Sequence, residues 1–289
     1  MPCYPPEGSR LADWIERNVT FPSSMVDRIV PATTDRDRAD AAALTGLHDA
    51  GLVVAEPFRQ WVIEDSFAGR RPAWELAGAQ LTADVAPFEL MKLRILNGSH
   101  STLAYLGALR GHRTIADAIG DPVLADIATA LIRDDMIPTI PPPEGVDLVE
   151  YGDRVLERYT NAELRHTTVQ IAMDGSQKLP QRLVGPALDA INAGRRPHAV
   201  TVGVAGWMSF VALGRDRAGT ELPLNDPLAD RLAQVRGGTD AGRVVADLLT
   251  IESIFGHELP EIGWWRAELT DNVRDLLAGR TPAVTRATA

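Results

Sequence analysis

Cysteine is nearly absent from this chain, with Cys3 alone among 289 residues. One thiol makes neither an intrachain disulfide nor a cysteine metal cluster, which fits a reducing compartment. No apolar run approaches the ~20 residues of a membrane span. The opening MPCYPPEGSR has neither the basic start nor the apolar segment of a signal peptide, so a cytoplasmic protein is expected. Basic charge is in deficit, 29 Lys and Arg against 39 Asp and Glu for a net −10, which argues against a nucleic-acid partner. Several chemical signatures are missing too. Without His-Glu-x-x-His or clustered histidines there is no sign of a zinc-dependent alcohol dehydrogenase, and neither a Gly-x-Ser-x-Gly elbow nor a phosphate-cradling P-loop occurs. No Gly-x-Gly-x-x-Gly follows a strand anywhere. The Gly203-x-x-Gly206 spacing in VTVGVAGWM reads as close helix packing.

What is present divides the chain unevenly. The length suits one or two domains with room for a buried core. After a Pro-rich, loose start over residues 1–10, LADWIERNV reads as a short amphipathic helix and residues 25–30 as a short strand. Within that strand Asp27-Arg28 admits a structural ion pair. An Asp/Arg/Ala-rich helix over 33–50 ends at Gly51, and 52–55 and 60–63 are β-like. Trp61 and Trp74 read as packing residues, since no basic cluster accompanies them. Beyond Gly69-Arg70-Arg71-Pro72 the reading is almost wholly helical, with a break at Gly120-Asp121-Pro122, an extended connector over 138–147 and an amphipathic stretch over 148–159. Asn161 is expected to cap a helix carrying Arg165 and His166. Asp174-Gly175-Ser176 signals a turn that puts Lys178 and Arg182 on or just past a loop, and cations there can grip hydroxyls or a carboxylate. His112, Arg113, His198 and His257 are expected to face solvent, and TPAVTRATA reads as a frayed tail. The fold class is mainly α, after a small α/β start.

The organising stretch is PFELMKLRILNGSHSTLAYLG, residues 87–107. Leucines at helical spacing and an early proline predict a long core helix, yet Lys92, Asn97 and His100 interrupt its apolar character. At ~100° per residue these three fall within an arc of about 140°, so one ligand lying along the helix touches all of them. Such a trio supports proton transfer at a hydroxyl or carbonyl carbon: desolvation turns a lysine into a general base and an amide N–H steadies an alkoxide. Gly98 costs roughly 1 kcal/mol in a helix interior and suits a place where something must approach the backbone. A solvated lysine on a helix kinked at Asn97-Gly98 is the plainer alternative.

The run KLRILNGSHSTLAYLG resembles the catalytic helix of the mannitol dehydrogenase family, the polyol-specific long-chain dehydrogenases and hexuronate reductases, with its motif Lys-x4-Asn-Gly-x-His. VTFPSSMVDRIVP is similar to that family's signature stretch. RHTTVQIAMDGSQKLPQR and VAGWMSFV resemble its hexuronate reductase and bacterial mannitol dehydrogenase branch. These matches run in family order from about Leu11 to about Leu277.

The resemblance implies that residues 1–68 are the C-terminal part of a Rossmann-type nucleotide-binding domain and 69–289 a helical substrate-binding, catalytic domain. It implies an NAD- or NADP-linked, metal-independent oxidoreductase that interconverts a polyol or aldonate with a ketose or ketouronate, such as mannonate/fructuronate or mannitol/fructose. Lys92 would be the general acid/base, Asn97 would steady the alkoxide and His100 would orient substrate and base, while Asp27, Arg165 and Lys178 would lie toward the substrate. Gln170 stands where some mannitol-specific relatives carry a basic residue, which weakens a simple mannitol assignment. Relatives carry the Gly-rich nucleotide motif and a further substrate-holding asparagine in a segment this sequence does not match. A non-catalytic helical module, or the substrate half of a split dehydrogenase with a partner chain or self-association at an exposed docking face, is therefore the competing expectation.

Overall fold

The computed structural model describes residues 8–284; Cys3, most of the Pro-rich start and the last residues of the tail lie outside them. Helix α1 (Arg10–Asn18) starts where Ser9 accepts a hydrogen bond from the Ala12 amide. Strand β1 (Ser24–Asp27) follows. Thr34 and Asp37 exchange hydrogen bonds in a capping box that opens α2 (Asp35–Thr45), and Gly46 ends it in the left-handed conformation. The helix thus stops before the predicted Gly51. Of the two β-like runs only the second is a strand, β2 (Gln60–Glu64), while residues 52–55 form a loop.

A third strand, β3 (Gln80–Thr82), was not expected. It pairs parallel to β2, Ile63 opposite Leu81, and β1 pairs antiparallel on the other edge, Val26 opposite Trp61. Three residues carry too little alternation to be read as a strand. Trp61 and Trp74 do pack together, with ring centroids 5.8 Å apart.

One continuous helical rod then runs through residues 86–110, but its winding changes twice. It begins as α3 (Ala86–Met91), widens to a π-helix, π1 (Lys92–Gly98), and tightens again as α4 (Ser99–Arg110). Helix α4 is buried apart from its last residue and crosses α11 (His198–Leu213), likewise buried along nearly all its length. The two approach closely because a Cβ on Gly203 would lie 2.5 Å from the Thr102 hydroxyl and one on Gly206 3.0 Å from Leu106. These glycines are the close packing expected of VTVGVAGWM.

Around this pair lie α5 (Ile115–Ile119) and α6 (Pro122–Ala130), separated by the predicted Gly120-Asp121 break, then α7 (Leu148–Tyr159) and α8 (Thr168–Ala172). Helix α6 runs on into a second widened segment, π2 (Leu131–Met136). A third, π3 (Pro180–Val184), joins α9 (Gly175–Leu179) to α10 (Gly185–Asn192). The expected loop near Lys178 is thus a single left-handed residue, Asp174, after which the chain resumes a helix carrying Lys178. The C-terminal long helix, residues 263–277, packs on α11, where Trp265 donates from Nε1 to Thr201 Oγ1 at 3.0 Å. No described helix is long and apolar enough to cross a membrane.

Candidate active site

The widened turns decide how the site is assembled. In π1 the backbone advances by roughly 4.4 residues per turn, where an α-helix takes 3.6. Lys92 and Asn97 then stand roughly 50° apart around the axis, and the arc that also includes His100 shrinks from about 140° to about 80°. Gly98 makes this fit possible. A Cβ there would meet the Arg182 carbonyl oxygen and the Met136 methyl, each at 2.9 Å, so the three π segments converge on one missing side chain.

Lys92 is half-buried, and its Nζ donates to the Val26 carbonyl of β1. Asn97 is half-buried too, and its side chain makes no hydrogen bond among the described residues. His100 is buried. Its ring stacks on Tyr159 at 5.1 Å, 15° between planes, and meets His166 edge-on at 5.0 Å. Burial, reinforced by His166, Arg182, Arg158 and Lys178, pushes the His100 pKa well below its usual value, so the imidazole is neutral. Tyr159 in turn donates to the Leu96 carbonyl at 2.6 Å and lies 2.9 Å from Ser99 Oγ.

His166 is held there by a two-residue antiparallel bridge: Ile115 donates to the His166 carbonyl at 3.0 Å and Thr168 to that of Arg113 at 3.1 Å. Burial and nearby Lys178 lower its pKa to about 4. Lys178 donates to the Ile171 carbonyl at 3.3 Å and to that of Met173, and burial followed by Arg182 lowers its pKa.

Asp27 and Arg165 are placed differently from the simplest expectation. The Asp27 carboxylate is fully buried and grips Arg158 through both oxygens, at 2.7 and 2.9 Å, while accepting from Tyr151 at 2.7 Å. The ion pair foreseen for Asp27 is real, but its cation is Arg158 on α7 and not the adjacent Arg28. Arg158 also donates to Glu56 from Nε at 3.0 Å and from Nη2 at 2.7 Å, and Glu56 accepts from the Ile29 amide at 2.6 Å. Burial alone would lower this guanidinium's pKa; the hydrogen bonds it donates to Asp27 and Glu56 outweigh it and hold the value above the ordinary one. The network locks β1, and with it the Val26 carbonyl that receives Lys92. Arg165 is not on a helix. It sits in the left-handed conformation after a short turn, with its guanidinium 3.9 Å from Asp37 and 3.8 Å from Asp40 on α2.

Arg158, Tyr151 and Glu56 escaped the sequence reading. A signal existed: Leu148, Tyr151, Val155 and Tyr159 form the buried stripe of α7, and Arg158 stands beside Tyr159 at a position equally turned inward. His112, expected in solvent, lies 3.1 Å from Asp121, which also pairs with Arg110 at 2.6 Å. His198 pairs with Glu268 at 2.7 Å, and His257 is exposed beside Glu252. Among the described residues no group of three His, Cys, Asp or Glu side chains is arranged to hold a metal ion.

The model of the mannitol dehydrogenase Rossmann domain matches residues 7–76, and that of the mannitol dehydrogenase C-terminal domain matches residues 84–277. The chain is 47% identical over 270 residues to the uncharacterized oxidoreductase YdfI of Escherichia coli, covering 93% of this chain and 55% of that protein. It is 48% identical over 253 residues to D-mannonate oxidoreductase of the same organism, covering 87% and 52%. Among solved structures, Pseudomonas fluorescens mannitol 2-dehydrogenase, in a ternary complex with NAD and D-mannitol, superposes with a TM-score of 0.84 at 35% identity, over 92% of this chain and 54% of that one. The chain spans about half the length of these relatives.

Proposed function

Because this chain belongs to the mannitol dehydrogenase family, we propose that it carries the proton-transfer and substrate-binding machinery of a metal-independent, NAD(P)-linked oxidoreductase interconverting a polyol or aldonate with a ketose or ketouronate. The observation that carries this reading is π1, which draws Lys92 and Asn97 to one side of a buried rod beside a neutral His100. Bound nicotinamide supplies the hydride acceptor. Lys92 takes the alcohol proton in oxidation and returns it in reduction, Asn97 donates to the alkoxide, and His100 orients the substrate oxygen. Lys178 lies at the substrate's far end. Asp27 serves through Arg158 by holding β1 against Lys92, and contact between Asp27 and substrate requires that pair to open. Arg165 serves at the edge, tying α2 to the helical region.

The dinucleotide fits only in part. No strand, Gly-rich turn and helix that would cradle a pyrophosphate occurs among the described residues, so its phosphates are assigned to no residue. Mannonate/fructuronate and mannitol/fructose are the substrate pairs under this reading. Lys92→Ala is expected to lower turnover by roughly 10²–10⁴-fold with an unchanged far-UV circular dichroism spectrum; full turnover in that variant would defeat the assignment.

A second reading has one observation in its favour: every large apolar side chain more than half exposed, among the described residues, lies at or before Leu76. Such a face suits a helical module whose cofactor domain comes from a partner chain or a second copy. Energy transfer from the tryptophans to NADH separates the two. Saturable transfer at a concentration where the chain is monomeric supports a cofactor site on this chain, and no transfer, or transfer only on self-assembly, supports the module.

A further inference from the structure

Arg182, on π3, lacks the partner that a half-buried guanidinium ordinarily has. Its Nη1 donates to Ser101 Oγ at 3.0 Å, one residue along α4 from His100. Among the described residues no carboxylate lies within ion-pair distance of it, and its other N–H groups make no hydrogen bond. Its surroundings compound the deficit. Lys178, one turn earlier on the same rod, repels it, and burial together with that repulsion lowers the lysine's pKa. Burial also lowers the pKa of Arg182, against which Tyr105 and Tyr159 act only weakly. The acidic groups near this pair leave Arg182 without a counter-ion: one faces Lys178 and the other is held by Ser176. Asp174 lies 3.9 Å from Lys178 and is half exposed, and Asp226 accepts from the Ser176 amide and hydroxyl at 2.8 and 2.5 Å. Two fixed cations therefore share a partly desolvated space with neutral imidazoles, in a chain whose net charge is −10.

A charge removed from water without a counter-ion is costly, and a ligand carboxylate is the group that relieves it. The guanidinium fork accepts a carboxylate through two parallel hydrogen bonds, which a hydroxyl does not reproduce. We propose that Arg182, assisted by Lys178 and anchored by Ser101, is the carboxylate-binding end of the substrate site, so that the chain selects a sugar acid over a neutral polyol. This rests on the proposed oxidoreductase reading, with Lys92, Asn97 and His100 as the reacting end. The position is set by backbone packing, since the Arg182 carbonyl lies against Gly98 in π1. The site therefore grips the acid at one end of the same helical junction that gathers the proton-transfer groups.

The test is binding of D-mannonate and D-mannitol to the purified chain by isothermal titration, repeated at rising salt, with Arg182→Met, Arg182→Lys and Ser101→Ala. The expected result is mannonate bound more tightly than mannitol, with an affinity that falls as salt rises. Arg182→Met should lose about ten- to a hundredfold for mannonate alone, and Arg182→Lys should keep charge but not full affinity. Thermal unfolding gives a second readout: removing an unpaired charge should leave the unliganded melting temperature unchanged or raised while abolishing the shift caused by mannonate. If Arg182→Met does not fold, Ser101→Ala, which frees the fork without altering charge, should cost several-fold for mannonate only. Equal binding of both ligands, indifferent to salt and to Arg182, overturns the carboxylate assignment and leaves the proton-transfer reading intact. Binding of neither by the unaltered chain overturns both.

Discussion

The two parts of this molecule bury their apolar residues on different terms. In the helical part, α4 and α11 are enclosed almost throughout, and their glycines let them approach to side-chain contact. In the N-terminal part neither α1 nor α2 buries a single residue, and Leu44 and Leu47 are 87% and 71% exposed. Amphipathic helices gain most of their stability from a packed apolar face; α4 and α11 have one on every side, whereas α1, which is amphipathic, leaves its apolar face open. The two parts are joined by apolar packing, with Met25, Ile29 and Val62 buried in the same core as the helical residues, and by charge. Asp27 and Glu56 from the N-terminal part converge on Arg158 of α7, and the Val26 carbonyl beside Asp27 receives Lys92.

Arg158→Met attacks that junction and has the largest expected effect. It leaves two buried carboxylates facing each other, at a cost of about 3–5 kcal/mol. Amide exchange should rise first in β1 and β2, with α4 and α11 still protected; protection lost together in both parts would refute the division. Gly203→Val challenges the enclosed part, where a Cβ meets the Thr102 hydroxyl at 2.5 Å. A loss of about 1–3 kcal/mol, read by urea unfolding, is expected.

A smaller effect separates the parts by pH. His166 has a folded pKa of about 4, below its ordinary 6.5, so the fold favours its neutral form. That contribution is complete above pH 6.5 and is lost as pH falls toward 4. In His166→Gln the stability of the helical part should decline less steeply over that window, and an unchanged slope would remove His166 from the account. The smallest effect belongs to Trp14, 54% exposed on α1. Trp14→Gln should change stability by no more than about 0.5 kcal/mol while reducing any self-association seen by sedimentation. A large destabilisation would mean that α1 is packed after all.

How much of this was legible depended on whether the information was local. Residues 148–159 coincide with α7 because their apolar period is regular, and Pro122 opens α6 because a first turn tolerates proline. Strand β3 was missed because three residues take their conformation from a neighbour in space. Arg165 was placed on a helix since Asn161 does cap a turn, but the turn is short and the chain leaves it through a left-handed residue. Lys92, Asn97 and His100 stood out as polar groups in an apolar rod, whereas the partners of Asp27, Tyr151 and Arg158, are 124 and 131 positions away and no spacing rule reaches them. The π segments were invisible for another reason: winding is a property of backbone hydrogen bonds, and side-chain periodicity over seven residues does not resolve it.

That winding makes the length of the rod as consequential as its composition. Residues before and after π1 keep their mutual bearing only while the widened turns hold their full count of residues. Deleting one residue between Lys92 and Gly98 would let the rod close to ordinary winding and turn everything beyond it by roughly 100°. His100 and Ser101 would then point where their neighbours do now, with every chemical group still present. The site is thus exposed to a kind of change that substitution scans never sample, in which no side chain is lost and only the angle between them is.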